Sequence, residues 1–183
     1  MMEERILIAG AGGQGALTIG KFVARVGMEK HRVTYFPSYG AEVRGGTAHC
    51  HVVMSDTEIA SPVVERATVL VLMNQMSYDR FAERLDEGGL MLLNSSMIDA
   101  DGATPRGRTV RIPATQLAGE MGDIRVANMI LTGALNHFKR IMDDEALLRV
   151  MQEMLGKEPS KVKLFDLNKT AFRIGAEQAA KLG

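Results

Sequence analysis

A cluster of glycines near the start of the chain could bind an anion through bare main chain. The cluster consists of Gly10, Gly12, Gly13, Gln14 and Gly15. It follows the apolar run 6–9 and precedes helix-compatible sequence, so a buried strand, a tight turn and a helix are predicted in that order. Residues without a Cβ let a phosphate approach just where a helix N-terminus presents unpaired N–H groups. We therefore predict that these five residues bind a cofactor.

The spacing Gly10-x-Gly12-x-x-Gly15 also matches the dinucleotide-binding fingerprint. That fingerprint needs an acidic residue at the end of the next strand, where it binds the ribose. The next predicted strand covers residues 32–36, and no Asp or Glu follows it before Glu42. This absence disfavours a nicotinamide site. A further alternative is that the glycines only permit a sharp turn and close packing of helix on sheet.

A second glycine-rich stretch, residues 37–47, has little that a core could bury and is either a solvated connector or a binding element. Within it, Arg44 offers a planar fork of five donors suited to a carboxylate or phosphate. Gly45 and Gly46 would let a ligand reach the main chain. Glu42 could equally pair with Arg44 in a surface salt bridge worth under about 1 kcal/mol. Both interpretations stay open on the residues alone.

His49 and His51 share one face of the next predicted strand, and Cys50 lies on the other. A third metal ligand would have to come from a distant residue such as His137, so we predict no metal site. We expect the two histidines to face a ligand cleft or a partner, and Cys50 to be a small buried apolar group. A single cysteine also excludes an internal disulfide and a Cys-ligated iron–sulfur cluster held within the chain.

Composition limits the remaining classes. The 183 residues, 46% hydrophobic, suit one domain covering 1–183. Lys plus Arg equals Asp plus Glu at 22 each, which gives no electrostatic argument for nucleic acid. No apolar run approaches the roughly 20 residues that span a bilayer. The N-terminus is acidic and lacks the features of a secretory signal, so we predict a cytoplasmic protein without membrane or nucleic-acid partners.

Apolar strands alternate with amphipathic helices over the first hundred residues, which predicts an α/β fold: a three-layer α/β/α sandwich with a mostly parallel sheet. The strands are expected at 6–9, 32–36, 68–73, 90–93 and 109–112, and the helices at 16–30, 75–85, 115–121, 124–138, 144–155 and from 159 onward. No helix separates Phe36 from His49, so the region 47–64 is expected to add antiparallel strands and make the sheet mixed. The order of the strands is not predicted.

Several polar and glycine residues mark the ends of these elements. Asn74 and Asn94 each follow a predicted strand, and they are candidates for a cleft or for capping of the strand end. Gly88 and Gly89 are expected to end the helix 75–85 as C-cap residues. Gly20 and Gly27 are expected where the first helix lies close to the sheet.

The sequence resembles the gamma subunits of the 2-oxoacid:ferredoxin oxidoreductases over essentially its full length. Three stretches carry the resemblance: Gly-Ala-Gly-Gly-Gln-Gly at 10–15, Ser-Tyr-Gly-Ala-Glu-Val-Arg-Gly-Gly at 38–46 and Asn-Met-Ile-Leu-Thr-Gly-Ala at 128–134. The second stretch is long and specific. Members that act on 2-oxoglutarate or branched-chain 2-oxoacids are more similar to this chain than the pyruvate-specific ones.

The resemblance implies an enzyme that uses thiamine diphosphate with Mg to decarboxylate a 2-oxoacid. Electrons then pass through [4Fe–4S] clusters to ferredoxin, and acyl-CoA is released. The family holds these cofactors on other subunits, which agrees with the single cysteine and the missing ribose ligand. The implied partners are alpha and beta subunits, with a delta subunit as a further candidate, together with ferredoxin, CoA and the 2-oxoacid. The isolated chain is expected to be inactive.

The resemblance also assigns a role to the two glycine-rich stretches. We expect residues 12–15 and the second stretch to line the cleft where CoA or the 2-oxoacid carboxylate enters. The residues of the second stretch are Ser38, Tyr39, Gly40, Glu42, Arg44, Gly45 and Gly46. Arg44 would be the charge partner, and no catalytic residue is assigned. Two alternatives remain, a free-standing nucleotide-binding oxidoreductase and a non-catalytic assembly module.

Overall fold

The computed structural model describes residues 2–38, 47–100, 106–155 and 161–183. Its strands are β1 (Glu3–Ala11), β2 (Arg32–Ser38), β3 (Thr47–Ser55), β4 (Ala67–Leu72), β5 (Leu85–Asn94) and β6 (Gly107–Ile112). Its helices are α1 (Ala16–Gly27), α2 (Gln75–Phe81), α3 (Ala114–Glu120), α4 (Ala127–Lys139), α5 (Asp144–Leu155) and α6 (Val162–Lys181). Short 3₁₀ turns at Ala82–Arg84 and Ile124–Val126 follow α2 and precede α4.

The six strands form one mixed sheet in the order β2-β3-β1-β4-β5-β6. β1, β4, β5 and β6 run parallel, and β3 is antiparallel to both of its neighbours, β1 and β2. The predicted α/β fold and the antiparallel addition after residue 46 are therefore confirmed. β2 and β3 pair antiparallel because the short connection between them leaves no room for a crossover helix.

The two faces of the sheet are covered unequally. One face packs against α1, α3, α4, α5 and α6 through a large apolar cluster that includes Ile6, Ile8 and Cys50. The other face carries a smaller cluster built around Phe81 of α2. Successive residues of β1 point into opposite clusters, so the strand is apolar throughout, as expected for a strand buried on both sides.

Small residues bring the helices close to their neighbours. A Cβ at Gly20 would overlap the Cys50 sulfur, and one at Gly27 would overlap the Met54 sulfur, so the predicted close approach of α1 to the sheet is confirmed. α4 and α6 approach through Gly133 and Gly175, where a Cβ would overlap main-chain carbonyls of the facing helix. The helix α1 ends at Gly27, three residues before the predicted end.

The predicted C-cap at Gly88 and Gly89 is wrong. α2 is only seven residues long, and both glycines lie within β5, which begins at Leu85. The register between β4 and β5 shifts at this point, and Gly88 has a φ of 73°. A Cβ at Gly107 of β6 would overlap the Gly89 carbonyl. These glycines therefore allow the irregular register in the sheet and the close approach of a neighbouring strand.

Candidate functional site

The ends of five strands and the start of the sixth lie along one edge of the sheet. β1, β2, β4, β5 and β6 all finish there, and β3 begins there because it runs in the opposite direction. Thr47 at the start of β3 pairs with Ala11 at the end of β1, and Ser38 at the end of β2 pairs with His49. Ligands of open α/β sheets bind outside this carboxyl edge.

Gly12 and Gly13 are exposed at this edge among the described residues. A Cβ built at either residue meets no atom of the described residues within 4 Å. Gly13 has a φ of 89° and Gly15 a φ of 84°, conformations that favour glycine. Gly15 is the N-cap of α1 and offers no side-chain cap, so main-chain N–H groups at the start of the helix remain available.

Gly10 and Gly15 serve packing instead. A Cβ at Gly10 would lie 2.9 Å from the Gln14 Oε1 and 3.0 Å from the Met73 Cβ. A Cβ at Gly15 would overlap the side chain of Asn128 in the first turn of α4. The predicted cofactor-binding group thus divides into an open pair, Gly12 and Gly13, and two closely packed residues.

Gln14 stabilises the turn itself. Its side-chain oxygen accepts a hydrogen bond of 2.7 Å from the Ala11 N–H. The main-chain N–H of Gln14 donates to the Ala11 carbonyl over 3.1 Å. The side chain is therefore folded back on the end of β1. The structure brings Gln14 next to the open glycines as a residue that fixes their position.

Asn128 is a site residue to which the sequence assigned no role. Its Oδ1 is buried and has no hydrogen-bond partner among the described residues, although the side chain packs against Gly15. The Thr132 hydroxyl, one turn later, donates to the Asn128 main-chain carbonyl over 2.8 Å. The sequence signal was present, because Asn128 opens the third stretch of the family resemblance.

The second glycine-rich stretch is described only at its ends. Ser38 is half-buried at the end of β2. Tyr39, Gly40, Glu42, Arg44, Gly45 and Gly46 lie outside the described residues. Because Ser38 and Thr47 both lie at the carboxyl edge, this stretch leaves and rejoins the sheet on the edge that carries the open glycines. The roles of these residues stay predictions.

Asn74 caps the N-terminus of α2, and Asn94 binds main-chain groups at the end of β5. The Asn74 side chain accepts a hydrogen bond of 3.0 Å from the Ser77 N–H and begins α2. The Asn94 side-chain amide donates to the Met73 carbonyl and to the Thr115 hydroxyl, and its oxygen accepts from the Thr115 N–H. The strand-end alternative therefore holds for Asn94, whereas Asn74 caps a helix.

The two histidines of β3 pair with Ala9 and Leu7 of β1 and share with them the face of the sheet that α2 covers. His49 is 8% exposed and His51 4% exposed, so the prediction that they face a ligand cleft is wrong, and the alternative that they face a partner stays a prediction. The His51 Nδ1 accepts a hydrogen bond of 3.0 Å from the Val64 N–H, whereas the His49 Nδ1 has no partner among the described residues. Burial, with smaller effects of His49 and Arg84, lowers the pKa of His51 to about 4, and burial followed by Arg80 lowers the pKa of His49. Both imidazoles are therefore neutral at pH 7.

Cys50 and the metal-binding residue types show no site of their own. The Cys50 thiol faces α1, and burial raises its pKa to about 12, so it is an unreactive core group. Within the described ranges, no three His, Cys, Asp or Glu side chains are grouped closely enough to hold a metal ion. In the same part of the chain, no helix is both long and apolar enough to cross a bilayer.

Two arginines on the face of the sheet that α2 covers were not anticipated from the sequence. Arg80 at the end of α2 donates a hydrogen bond of 2.7 Å to the Thr47 hydroxyl. Arg80 and Arg84 each lie over the ring of Phe81, with the guanidinium carbon 5.2 Å from the ring centroid. No local motif marks these residues, since the contact joins a helix to a strand that begins 33 residues earlier.

Comparison with known proteins identifies the family. Residues 5–178 match the family model of pyruvate ferredoxin/flavodoxin oxidoreductases. The chain belongs to this family. It is 36% identical over 180 residues to the ketoisovalerate oxidoreductase subunit VorA of Methanothermobacter thermautotrophicus, an alignment that covers 97% of this chain and 36% of VorA. The chain thus spans about a third of the length of the VorA relatives it matches.

Solved structures agree with this assignment. The gamma subunit of a keto/oxoacid ferredoxin oxidoreductase from Geobacter sulfurreducens superimposes with a TM-score of 0.82 at 25% identity, covering 99% of this chain and 98% of that one. A 2-oxoglutarate:ferredoxin oxidoreductase from Magnetococcus marinus, with 2-oxoglutarate, coenzyme A and succinyl-CoA bound, superimposes with a TM-score of 0.90 at 25% identity. This superposition covers all of this chain and 32% of the Magnetococcus chain. The resemblance seen in the sequence is confirmed, and it favours an oxidoreductase subunit over the two alternatives.

Proposed function

We propose that this chain is the gamma subunit of a thiamine-diphosphate-dependent 2-oxoacid:ferredoxin oxidoreductase. The complete enzyme would convert a 2-oxoacid and CoA into acyl-CoA and CO₂, and it would pass the electron pair to ferredoxin. The 2-oxoacid is 2-oxoglutarate or a branched-chain relative, because the Magnetococcus enzyme carries 2-oxoglutarate and VorA is named for ketoisovalerate. One observation supports a direct role in the cleft: the open Gly12–Gly13 main chain at the carboxyl edge of the sheet.

The cofactors belong on partner subunits in this proposal. A [4Fe–4S] cluster needs four cysteine ligands, and the chain has one cysteine, which is buried and faces α1. The residues of this chain therefore do not fit a cluster. Thiamine diphosphate and Mg would be held by alpha and beta subunits, and a delta subunit would be a further partner. The single domain and the cytoplasmic location stay predictions.

The contribution of this chain is to bind and orient. Main-chain N–H groups at Gly12 and Gly13 would donate to an anionic group of CoA or of the 2-oxoacid, assisted by the N-terminus of α1. Gln14 binds the end of β1 through its hydrogen bond with Ala11, and Asn128 of α4 packs against Gly15, so both stabilise the turn. Arg44, which lies in the second glycine-rich stretch, would pair with the carboxylate of the 2-oxoacid or with a phosphate of CoA. No proton transfer or covalent step is assigned to these residues.

The substitution Gly12→Ala tests this proposal. A Cβ at Gly12 meets no atom of the described residues within 4 Å, and the residue has no positive φ, so the described part of the fold tolerates it. A rise in KM without a loss of stability would therefore indicate a ligand that approaches the turn. We expect the assembled complex to show at least a tenfold rise in KM for CoA or for the 2-oxoacid, about 1.4 kcal/mol of lost binding.

Gly119→Ala is the matched control, because its Cβ on α3 would make only an ordinary contact with the Ile124 Cγ2 at 4.0 Å. Activity is measured as CoA-dependent ferredoxin reduction after the chain is combined with its alpha and beta partners. Unchanged KM values for both substrates in Gly12→Ala would show that the open turn binds neither substrate. Absence of activity in any combination with partner subunits would refute the proposed function itself.

A further inference from the structure

The edge strand β2 exposes a large aromatic side chain. Phe36 is 45% exposed although it lies in a regular strand. β2 stands at one end of the strand order, so no strand of the described residues pairs with its outer side. An unpaired edge of this kind offers a row of main-chain N–H and C=O groups to another strand.

A groove of about 440 Å³ lies along the first half of β2. Arg32, Val33 and Thr34 line it from the strand, and Ile59 and Glu58 line it from the segment after β3. Arg32 is exposed and forms no ion pair with a described carboxylate, although Glu58 lines the same groove. The Thr34 hydroxyl is shielded from water and has no hydrogen-bond partner among the described residues. This half of β2 therefore offers a recess, a cation and an unsatisfied hydroxyl group.

The two halves of β2 complement each other when a second copy of the strand runs antiparallel beside the first. A two-fold axis through Thr34, perpendicular to the sheet, sets residue 32 opposite residue 36 and residue 33 opposite residue 35. Opposed side chains of an antiparallel pair point to the same face of a sheet. The arrangement meets this condition, because residues 32, 34 and 36 alternate with 33 and 35 along the strand.

Each opposed pair has favourable chemistry. Phe36 of the second copy would enter the groove beside the Arg32 guanidinium, a cation–π contact. The two Thr34 hydroxyl groups would face each other and form a hydrogen bond after rotation about χ1. Val33 would pack against Tyr35 of the second copy, a β-branched side chain against an aromatic one.

The opposite edge of the sheet lacks this complementarity. β6 carries Arg108 and Arg111, so a second copy of β6 would place like charges along one seam. In β2 the one charged residue is Arg32, at the start of the strand. Pro37 has no N–H to donate, but it lies outside the segment 32–36 that would pair.

We propose that two copies of this chain pair through β2, antiparallel and centred on Thr34, so that their two sheets become one. This inference goes beyond the proposed function and does not depend on it. A paired segment of one short strand buries little area, so we expect a weak, reversible dimer with a micromolar Kd. The carboxyl edges of the two sheets would point in opposite directions, and neither copy would contribute to the carboxyl edge of the other.

Sedimentation velocity of the isolated chain measures this equilibrium over concentrations from below to above the micromolar range. The parent should change from monomer to dimer. Phe36→Lys removes the ring and places a cation opposite Arg32 of the second copy, so Kd should rise at least tenfold. Ile124→Lys is the control, because Ile124 is 64% exposed in the turn before α4, and its Kd should equal that of the parent. Far-UV circular dichroism checks that each variant is folded.

A second substitution tests the register. Arg32→Glu combined with Phe36→Lys sets opposite charges against each other across the axis, so the Kd should return toward that of the parent. A parent that stays monomeric at every concentration would overturn the inference, and it would leave the β2 edge to a strand of another protein. The inference also fails if Phe36→Lys dimerises as tightly as the parent, or if the double variant is no tighter than Phe36→Lys alone.

A cross-link tests the same register with Phe36 retained. Thr34→Cys would set two thiols directly opposite each other, with Cα atoms about 4.5–5.5 Å apart, a distance that a disulfide spans. The parent gives a clean background because Cys50 is buried. Oxidised glutathione should therefore give a covalent dimer of Thr34→Cys on a non-reducing gel, and much less of Val33→Cys, whose thiols would be offset along the strands. Absence of the dimer in Thr34→Cys, or equal amounts in both variants, would refute pairing centred on Thr34.

Discussion

Replacement of Asn94 by alanine tests how the carboxyl edge is held together. Asn94 is 1% exposed at the end of β5. Its amide donates to the Met73 carbonyl over 3.1 Å and to the Thr115 hydroxyl over 2.8 Å, and its oxygen accepts from the Thr115 N–H over 3.2 Å. One side chain therefore joins the residue after β4, the end of β5 and the start of α3.

The expected loss follows from these three bonds. Each contributes about 0.5–1.5 kcal/mol, and alanine leaves the Met73 carbonyl and the Thr115 N–H without their partner, so Asn94→Ala should lower the free energy of unfolding by about 3 kcal/mol. For a chain of this length that equals a fall in Tm of about 6–12 °C. Asn94→Asp should cost more at pH 7, because it places a carboxylate oxygen against the Met73 carbonyl.

Urea unfolding followed by far-UV circular dichroism measures this loss, with the m value as a check that the unfolded state is unchanged. Asn74→Ala is the control, since it removes a single N-cap hydrogen bond and should cost about 1 kcal/mol. The reasoning is refuted if Asn94→Ala costs no more than Asn74→Ala. It is also refuted if Asn94→Asp is as stable as the parent at pH 7.

Two further predictions concern the two faces of the sheet. His51 has a folded pKa of about 4 against an ordinary value of 6.5, so the unfolded state binds the proton more readily. Its contribution to stability should be complete above pH 6.5 and fall as the pH drops from 6.5 to 4. The urea midpoint of the parent should fall over this pH range. It should fall less in His51→Asn, a variant that keeps an acceptor for the Val64 N–H. Gly133→Ala should lower the free energy of unfolding by about 3 kcal/mol, because its Cβ would overlap the Phe172 carbonyl and force α4 away from α6. Thermal unfolding of Gly133→Ala beside Gly119→Ala measures this, and equal Tm values would contradict it.

The parts of the fold that depend on local pattern were predictable. β1, the glycine turn and α1 follow from an apolar run, glycines and helical spacing within the first 27 residues. The antiparallel β3 follows from the missing crossover helix. The family resemblance also came from contiguous stretches of sequence, so it required no knowledge of the strand order.

The parts that depend on distant contacts were not predictable. Gly88 and Gly89 have the local signature of a helix C-cap, and only the register between β4 and β5 and the approach of Gly107 show that they belong to a strand. The bond between Arg80 and Thr47 likewise exists only because α2 crosses from β4 toward the start of β3. Nothing within a few residues of Arg80 records that crossing.

The glycine motif performs two physical tasks, and only one of them concerns a ligand. Gly10 and Gly15 lack a Cβ because Met73 and Asn128 occupy that space, a requirement that any closely packed βα turn can impose. No atom of residues 2–38, 47–100, 106–155 or 161–183 lies within 4 Å of a Cβ at Gly12 or Gly13, so packing in that part of the chain gives no reason to exclude a side chain at Gly12, where φ is not positive either. Packing among the described residues thus leaves glycine at this position unexplained, and a ligand or partner subunit that approaches the turn would explain it.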